Sequence, residues 1–155
     1  LIILLPARDE EIGVGEVIRR IPTKSLEGMG FRIRVVVADG HSTDSTLEIA
    51  NKMGAEVIRQ NGSVGKGNGV REALEEIFET PPNDGDLLIM LDADATYSPE
   101  DLPRFIKELM HNDVVWGSRI RGNIEKRAMS MTNLIGNKIL KIQWFKICNI
   151  VLKWN

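Results

Sequence analysis

Five short apolar runs alternate with segments whose apolar residues recur at helical spacing, and that alternation leaves few architectures open to the chain. Leu1–Leu5 is an unbroken apolar strand closed by Pro6. Glu10–Arg20 follows, with Ile12, Val17 and Ile18 at roughly helical spacing and Pro22 beyond its end. Ile33–Ala38 reads as the second strand, Ala55–Arg59 the third, Leu87–Leu91 the fourth and Asp113–Trp116 the fifth. Between them, Ser42-Thr43-Asp44 caps a helix over Ser45–Met53 that Gly54 ends. Another helix runs from Gly69 to about Glu79, and a further one starts at Ser98-Pro99-Glu100 and reaches Met110. The pattern predicts an α/β fold, a mostly parallel sheet with helices on both faces. At 155 residues, 43% hydrophobic and 27% charged, the chain can bury the core of one such domain.

In sheets of this kind ligands lie outside the carboxyl ends of the strands. The segments there are Pro6-Ala7-Arg8-Asp9-Glu10, Asp39-Gly40-His41-Ser42, the glycine-rich stretch 62–69, Asp92-Ala93-Asp94 and Gly117-Ser118-Arg119. Each offers charge, hydrogen-bonding groups or permissive glycine, so their convergence on one rim predicts a binding cleft. Taken alone, Asp92-Ala93-Asp94 reads in either of two ways. It is an acidic turn that ends a strand, or a pair of carboxylates for a hard divalent cation, which prefers oxygen ligands and leaves room for phosphate.

Other chemistries fit poorly. A formal charge of −2 argues against general nucleic-acid binding. The single cysteine, Cys148, allows no internal disulfide, which fits a reducing compartment, and with His41 and His111 it makes no zinc cluster. His41 suits a helix-entry hydrogen bond and His111 a helix C-terminus. Gly65-Lys66-Gly67-Asn68-Gly69 is not a P-loop, because Gln60 or Asn61 stands where the first glycine belongs and Gly67 follows the lysine. It is also a poor dinucleotide fingerprint. It suits close backbone approach to a nucleotide, with Lys66 near phosphate or base, or else a tight helix-entry turn. A calcium loop starting at Asp92 fails at Pro103, where a bidentate Glu belongs.

Five motifs in order carry a resemblance. Pro-x-Arg-x-Glu at 6–10, Val37-Ala38-Asp39-Gly40-His41-Ser42-Thr43-Asp44-Ser45-Thr46, Gly65-Lys66-Gly67-Asn68-Gly69, Leu91-Asp92-Ala93-Asp94-Ala95-Thr96-Tyr97-Ser98-Pro99-Glu100-Asp101-Leu102 and Trp116-Gly117-Ser118-Arg119 together resemble glycosyltransferase family 2. Within it the chain is most similar to the dolichol-phosphate (polyprenyl-phosphate) sugar synthases of archaea and bacteria, and the match covers roughly residues 1–140. The resemblance implies a GT-A-type, Rossmann-like single domain, a nucleotide-sugar donor (a UDP- or GDP-sugar), Mg²⁺ or Mn²⁺, and inversion at the anomeric carbon. By resemblance, Pro6, Arg8 and Glu10 line the donor pocket together with Val37 and Lys66, and Asp39 holds the base or ribose. Asp92, Ala93 and Asp94 address the metal–diphosphate. Asp94 is the expected direct ligand, Asp92 positions the metal or sugar, and Thr96 is a weaker ligand. Arg119 completes the expected catalytic set, by stabilising the diphosphate or the acceptor phosphate. Its alternative is a solvated surface arginine.

The implied acceptor is a polyprenyl or dolichyl phosphate. Such a phosphate is ionised near neutral pH and attacks without the general base that a hydroxyl acceptor requires. Consistently, Glu125 is the sole acidic residue after Arg119. The cationic side chains Arg119, Arg121, Lys126 and Arg127 would receive the lipid phosphate, Arg119 and Arg127 foremost, or else are plain solvated surface. Relatives continue past the position of Asn155, and the chain opens on Leu1 rather than Met, so a longer reading frame is expected. Two alternatives stay open: a truncated, non-catalytic nucleotide-sugar or lipid-binding module, and a haloacid-dehalogenase-like phosphatase using Asp92-x-Asp94-x-Thr96. The second conflicts with the three strands that precede Asp92, since those phosphatases carry the motif after the first.

Residues 1–136 are expected to form the catalytic domain and 137–155 a basic amphipathic helix. In it Lys138, Lys141, Lys146, Asn149 and Lys153 oppose Leu140, Trp144, Ile147, Val151 and Trp154. Such a helix lies in a membrane interface or docks on the domain core, and its lysines exclude a spanning segment. The expected location is cytoplasmic, peripheral on the cytoplasmic face of the membrane.

Overall fold

The first strand, β1 (Ile2–Ala7), is the line from which the sheet grows in both directions in the computed structural model, which describes residues 1–117 and 150–153. On one side β2 (Arg34–Asp39) pairs in parallel, Leu5 opposite Val37, and β3 (Glu56–Arg59) adds in parallel beyond it. On the other side β4 (Leu87–Met90) pairs in parallel, Ile3 opposite Ile89. Two more strands follow, β5 (Val114–Trp116) and β6 (Ile150–Lys153). The order is β3-β2-β1-β4-β6-β5, and β6 runs antiparallel to both its neighbours. The sheet is therefore mostly parallel, as expected, with one inserted reversal.

Side-chain alternation divides the core into two layers. Odd-numbered Ile3, Leu5, Val37 and Ile89 pack against α1 (Gly13–Arg20), α2 (Thr23–Gly28), α3 (Thr46–Lys52) and α5 (Leu102–Leu109) through Val14, Val17, Leu26, Ala50 and Ile106. Even-numbered Leu4, Val36, Ala38, Ile58 and Leu88 meet Ala73 and Ile77 of α4 (Lys66–Ile77). Helices cover both faces. Strands buried on both sides explain the continuous apolar runs in the sequence.

Three elements depart from expectation. The short helix α2 was not anticipated; it forms because fully buried Leu26 needs a turn of helix to reach the core. Helix α4 begins at Lys66 rather than Gly69, directly after Gly65 at φ 150°. Gly67 falls in its first turn, where backbone N–H groups have no intrahelical partner to lose, and the Gly69 N–H donates to the Gly65 carbonyl oxygen (3.0 Å). Finally, 150–153 form a strand where the amphipathic helix was expected to end. Ile150-Val151-Leu152 is a run that favours extended backbone, and it fills a slot between two strand edges that a helix could not pair. The rest of that expected helix, 137–149 and 154–155, lies outside the described residues.

Candidate functional site

The chain builds β1, β2 and β3 outward, then returns to place β4 on the opposite side of β1. This reversal opens a crevice at the carboxyl ends of β1 and β4, the place where open α/β sheets take ligands. A cleft of about 200 Å³ lies there. Pro6, Arg8 and Glu10 line it from β1, Ala38 and Gly40 from β2, and Gln60 from β3. Lys66, Gly69 and Val70 contribute from the start of α4, and Asp92, Ala93 and Asp94 from β4.

Strand alternation sets most of the strand-end residues that face this cleft. Pro6, Ala38, Gln60 and Asp92 are all even-numbered and continue the rows that face α4. Asp39 is odd. It is fully buried, accepts the Ser42 N–H at Oδ1 (3.1 Å) and has Arg59 Nε 3.6 Å from Oδ2. Val37, also odd and fully buried, packs in the opposite core layer. Neither Asp39 nor Val37 lines the cleft in this structure.

The β4 end of the cleft is acidic. Asp92 pairs with Lys66 Nζ, and Asp94 Oδ1 accepts both the backbone N–H (3.0 Å) and the hydroxyl (2.7 Å) of Thr96. Thr96 thus braces Asp94. The Glu10 carboxyl is held above its ordinary pKa, by burial first and then by Asp94, Asp44 and Asp92, with Lys66 pulling the other way. Neighbouring carboxylates that disfavour one another's ionisation form a field suited to a hard divalent cation. Among the described residues no group of three or more His, Cys, Asp and Glu could hold a metal by itself. Asp92 and Asp94 fit such an ion as partners, with ligand oxygens completing its shell.

The loops behind these residues are laced together. Asp9 N–H donates to Ser42 Oγ (2.9 Å), Glu10 N–H to Thr46 Oγ1 (2.8 Å) and Glu11 N–H to Asp44 Oδ2 (3.0 Å). In return, Thr43 N–H donates to Asp9 Oδ1 (2.7 Å) and Ser45 N–H to Glu11 Oε2 (3.2 Å). Asp9, His41 and Ala95 hold φ of 54°, 66° and 58°, each in a loop at the carboxyl end of β1, β2 or β4. Left-handed backbone at non-glycine residues is strained, and among the described residues it is confined to the strand ends that frame the cleft.

Two residues of this region escaped the reading of the sequence. A Cβ on buried Gly13, at the start of α1, would clash with the Ala93 carbonyl oxygen and stand 2.9 Å from Asp94 Cα. Glycine there lets the helix seat against the acidic loop. Gln60, only 2% exposed, is the second. No local pattern marks either residue, because both act through tertiary approach. Arg119 and Arg127, with Arg121 and Lys126, lie outside the described residues.

Fold and cleft together define a GT-A-type α/β domain. The chain belongs to glycosyl transferase family 2, whose family model matches residues 2–155. It is 37% identical to the glycosyltransferase AglJ of Haloferax volcanii, over 89% of this chain and 42% of that protein. It is also 37% identical to a dolichyl-phosphate hexose transferase of the same organism, over 88% of this chain and 54% of the relative. Identity to the dolichol-phosphate mannosyltransferase of Pyrococcus furiosus is 29%, over 76% of this chain and 32% of that protein. The chain thus spans about half or less of the length of these relatives. Among solved structures, glucosyl-3-phosphoglycerate synthase from Mycobacterium tuberculosis, in complex with Mn²⁺ and UDP-glucose, superposes with a TM-score of 0.66 at 20% identity. That likeness covers 98% of this chain and 55% of the synthase, and it shows the fold.

Proposed function

We propose that this domain binds a UDP- or GDP-sugar with Mg²⁺ or Mn²⁺ and transfers the sugar, with inversion, to a polyprenyl or dolichyl phosphate. The observation that carries the reading is the gathering of Asp92, Asp94, Glu10 and Lys66 at one switch-point cleft in a family 2 chain. The relative named dolichyl-phosphate hexose transferase supports the lipid-phosphate acceptor. Asp92 and Asp94 would hold the cation, which neutralises charge on the departing nucleoside diphosphate. Lys66 lies beside Asp92 and is within reach of the same phosphates. Pro6 and Arg8 would flank the donor, with Asp39 at the nucleoside end behind the cleft wall.

In the transfer itself an acceptor phosphate oxygen forms the new bond to the anomeric carbon as the bond from that carbon to the diphosphate oxygen breaks. The acceptor is already anionic, so no side chain has to remove a proton. Arg119 and Arg127 are proposed to receive the acceptor phosphate. Among the described residues no helix is long and apolar enough to cross a membrane, and the proposed association is peripheral, on the cytoplasmic face.

Thermal stability followed during titration with UDP- and GDP-sugars and Mn²⁺ tests the donor site. Stabilisation by one of them, lost in Asp94→Ala, is expected; no stabilisation by either overturns the assignment. Transfer of radiolabelled sugar to a polyprenyl phosphate then separates an enzyme from a binding module.

A further inference from the structure

We infer that Gln60 is a specificity-determining residue of the donor site, its side-chain carbonyl accepting a hydrogen bond from the nucleoside part of the donor. The inference rests on the nucleotide-sugar reading above. Gln60 follows β3, is 2% exposed and lines the cleft. Its Nε2 donates to the Ser63 carbonyl oxygen, and this fixes the orientation of the amide, because a carbonyl can only accept. Oε1 is the end left over. It is the one buried side-chain N or O atom among the described residues without a hydrogen-bond partner. Folded proteins satisfy nearly all such atoms, so an orphan in the wall of a cleft points to a donor that arrives with the ligand.

The surroundings of Oε1 agree. A Cβ at Gly69 would stand 3.1 Å from it and one at Gly40 3.8 Å, and both glycines line the cleft. Backbone alone covers the amide on those sides. The competing acceptor at this end, the Asp39 carboxylate, points to the other face of the sheet and is engaged by Ser42 and Arg59. The reach is also right. Three strand spacings separate the ends of β3 and β4, roughly 14 Å at about 4.8 Å each. A nucleoside diphosphate anchored at Asp92 and Asp94 spans a distance of that order. Because Oε1 only accepts, its partner must carry N–H or O–H: a ring N–H of the base, the exocyclic amino group of guanine, or a ribose hydroxyl.

The test is a binding titration of the full chain in Mn²⁺. The ligands are UDP and GDP, their ring-N-methylated forms, IDP, which lacks the guanine amino group, and the 2′- and 3′-deoxy forms. Wild type is expected to lose about five- to tenfold in affinity with one modified form, the methylated base, IDP or a deoxyribose identifying the donor group. Gln60→Met is expected to weaken the parent nucleotide by a similar factor and to bind parent and modified forms alike. A general loosening of the glycine-rich loop would lower every affinity but leave the ratios intact, and that result overturns the inference. So does wild type binding every modified form as tightly as its parent, a measurement that needs no variant. If wild type binds neither UDP nor GDP, the nucleotide-sugar reading itself falls, and the inference with it.

Discussion

At the β4 end of the cleft three carboxylates gather, Glu10, Asp92 and Asp94, with one ammonium, Lys66, paired to Asp92 and drawing on Glu10. At the β3 end a single neutral amide, Gln60, sits buried beside glycine backbone. The first arrangement stays partly open to water, Asp94 being exposed, and the proposed cation and phosphate would compensate its charge. The second is shielded, and an unmet hydrogen bond there discriminates between ligands that differ by one proton. On the proposed reading, strength of binding and choice of ligand fall to opposite ends of one crevice.

The largest expected effect separates the ends outright. Asp94→Asn should reduce sugar transfer by about 100-fold or more, because several kcal/mol of charge stabilisation is lost. Binding of the bare nucleoside, measured by equilibrium dialysis, should be unchanged in that variant; a matching loss would show that the two ends are not independent. Next, Gly13→Ala should cost about 1–3 kcal/mol of stability by overpacking. It should also weaken Mn²⁺-dependent nucleotide binding, since the new methyl displaces the backbone of Ala93 and Asp94. Gly28→Ala, which meets nothing within 4 Å, is the control in denaturant melts.

Lys66→Met should have a smaller and two-signed effect. Mn²⁺ alone, followed by electron paramagnetic resonance, should bind a few-fold more tightly once the ammonium no longer neutralises Asp92, while nucleotide diphosphate binds more weakly. Weaker binding of both would reverse the assigned competition. Smallest is a pH effect at Glu10. Its carboxyl binds a proton more tightly folded than unfolded, so stability falls as pH rises above the ordinary value of 4.5 and through the raised one. Melting temperatures of wild type and Glu10→Gln should coincide below that range, and the variant should be the more stable at neutral pH. Adding Mn²⁺ should narrow the gap.

Much of this molecule was legible in residue order. The apolar runs located β1 to β5, and the polar strand ends located the acidic loop, Lys66 and Glu10, because strand burial and rim chemistry are written locally. Asp39 shows where local reading stops: its motif was visible, but the odd position that turns it from the cleft depends on strand register. Gly13 and Gln60 were invisible for a related reason. A glycine that admits a carbonyl and a glutamine whose oxygen lacks a donor are defined by partners 80 residues on (Gly13 to Ala93) or across a loop. The strand at 150–153 was hidden because Val151 also fits a helical stripe, and only two waiting strand edges decide between the two conformations.

That strand carries a consequence for biosynthesis. β6 pairs with β4 some 60 positions after β4 has left the ribosome, Ile89 meeting Val151. Until then the strand that leads into Asp92 and Asp94 has only β1 on one flank and a bare edge on the other. The nascent chain therefore carries an unsealed, apolar β edge, with β6 as the natural cover. A nascent chain stalled before Ile150 exposes that edge to other strands, so sheet closure and protection from aggregation arrive in the same step of synthesis.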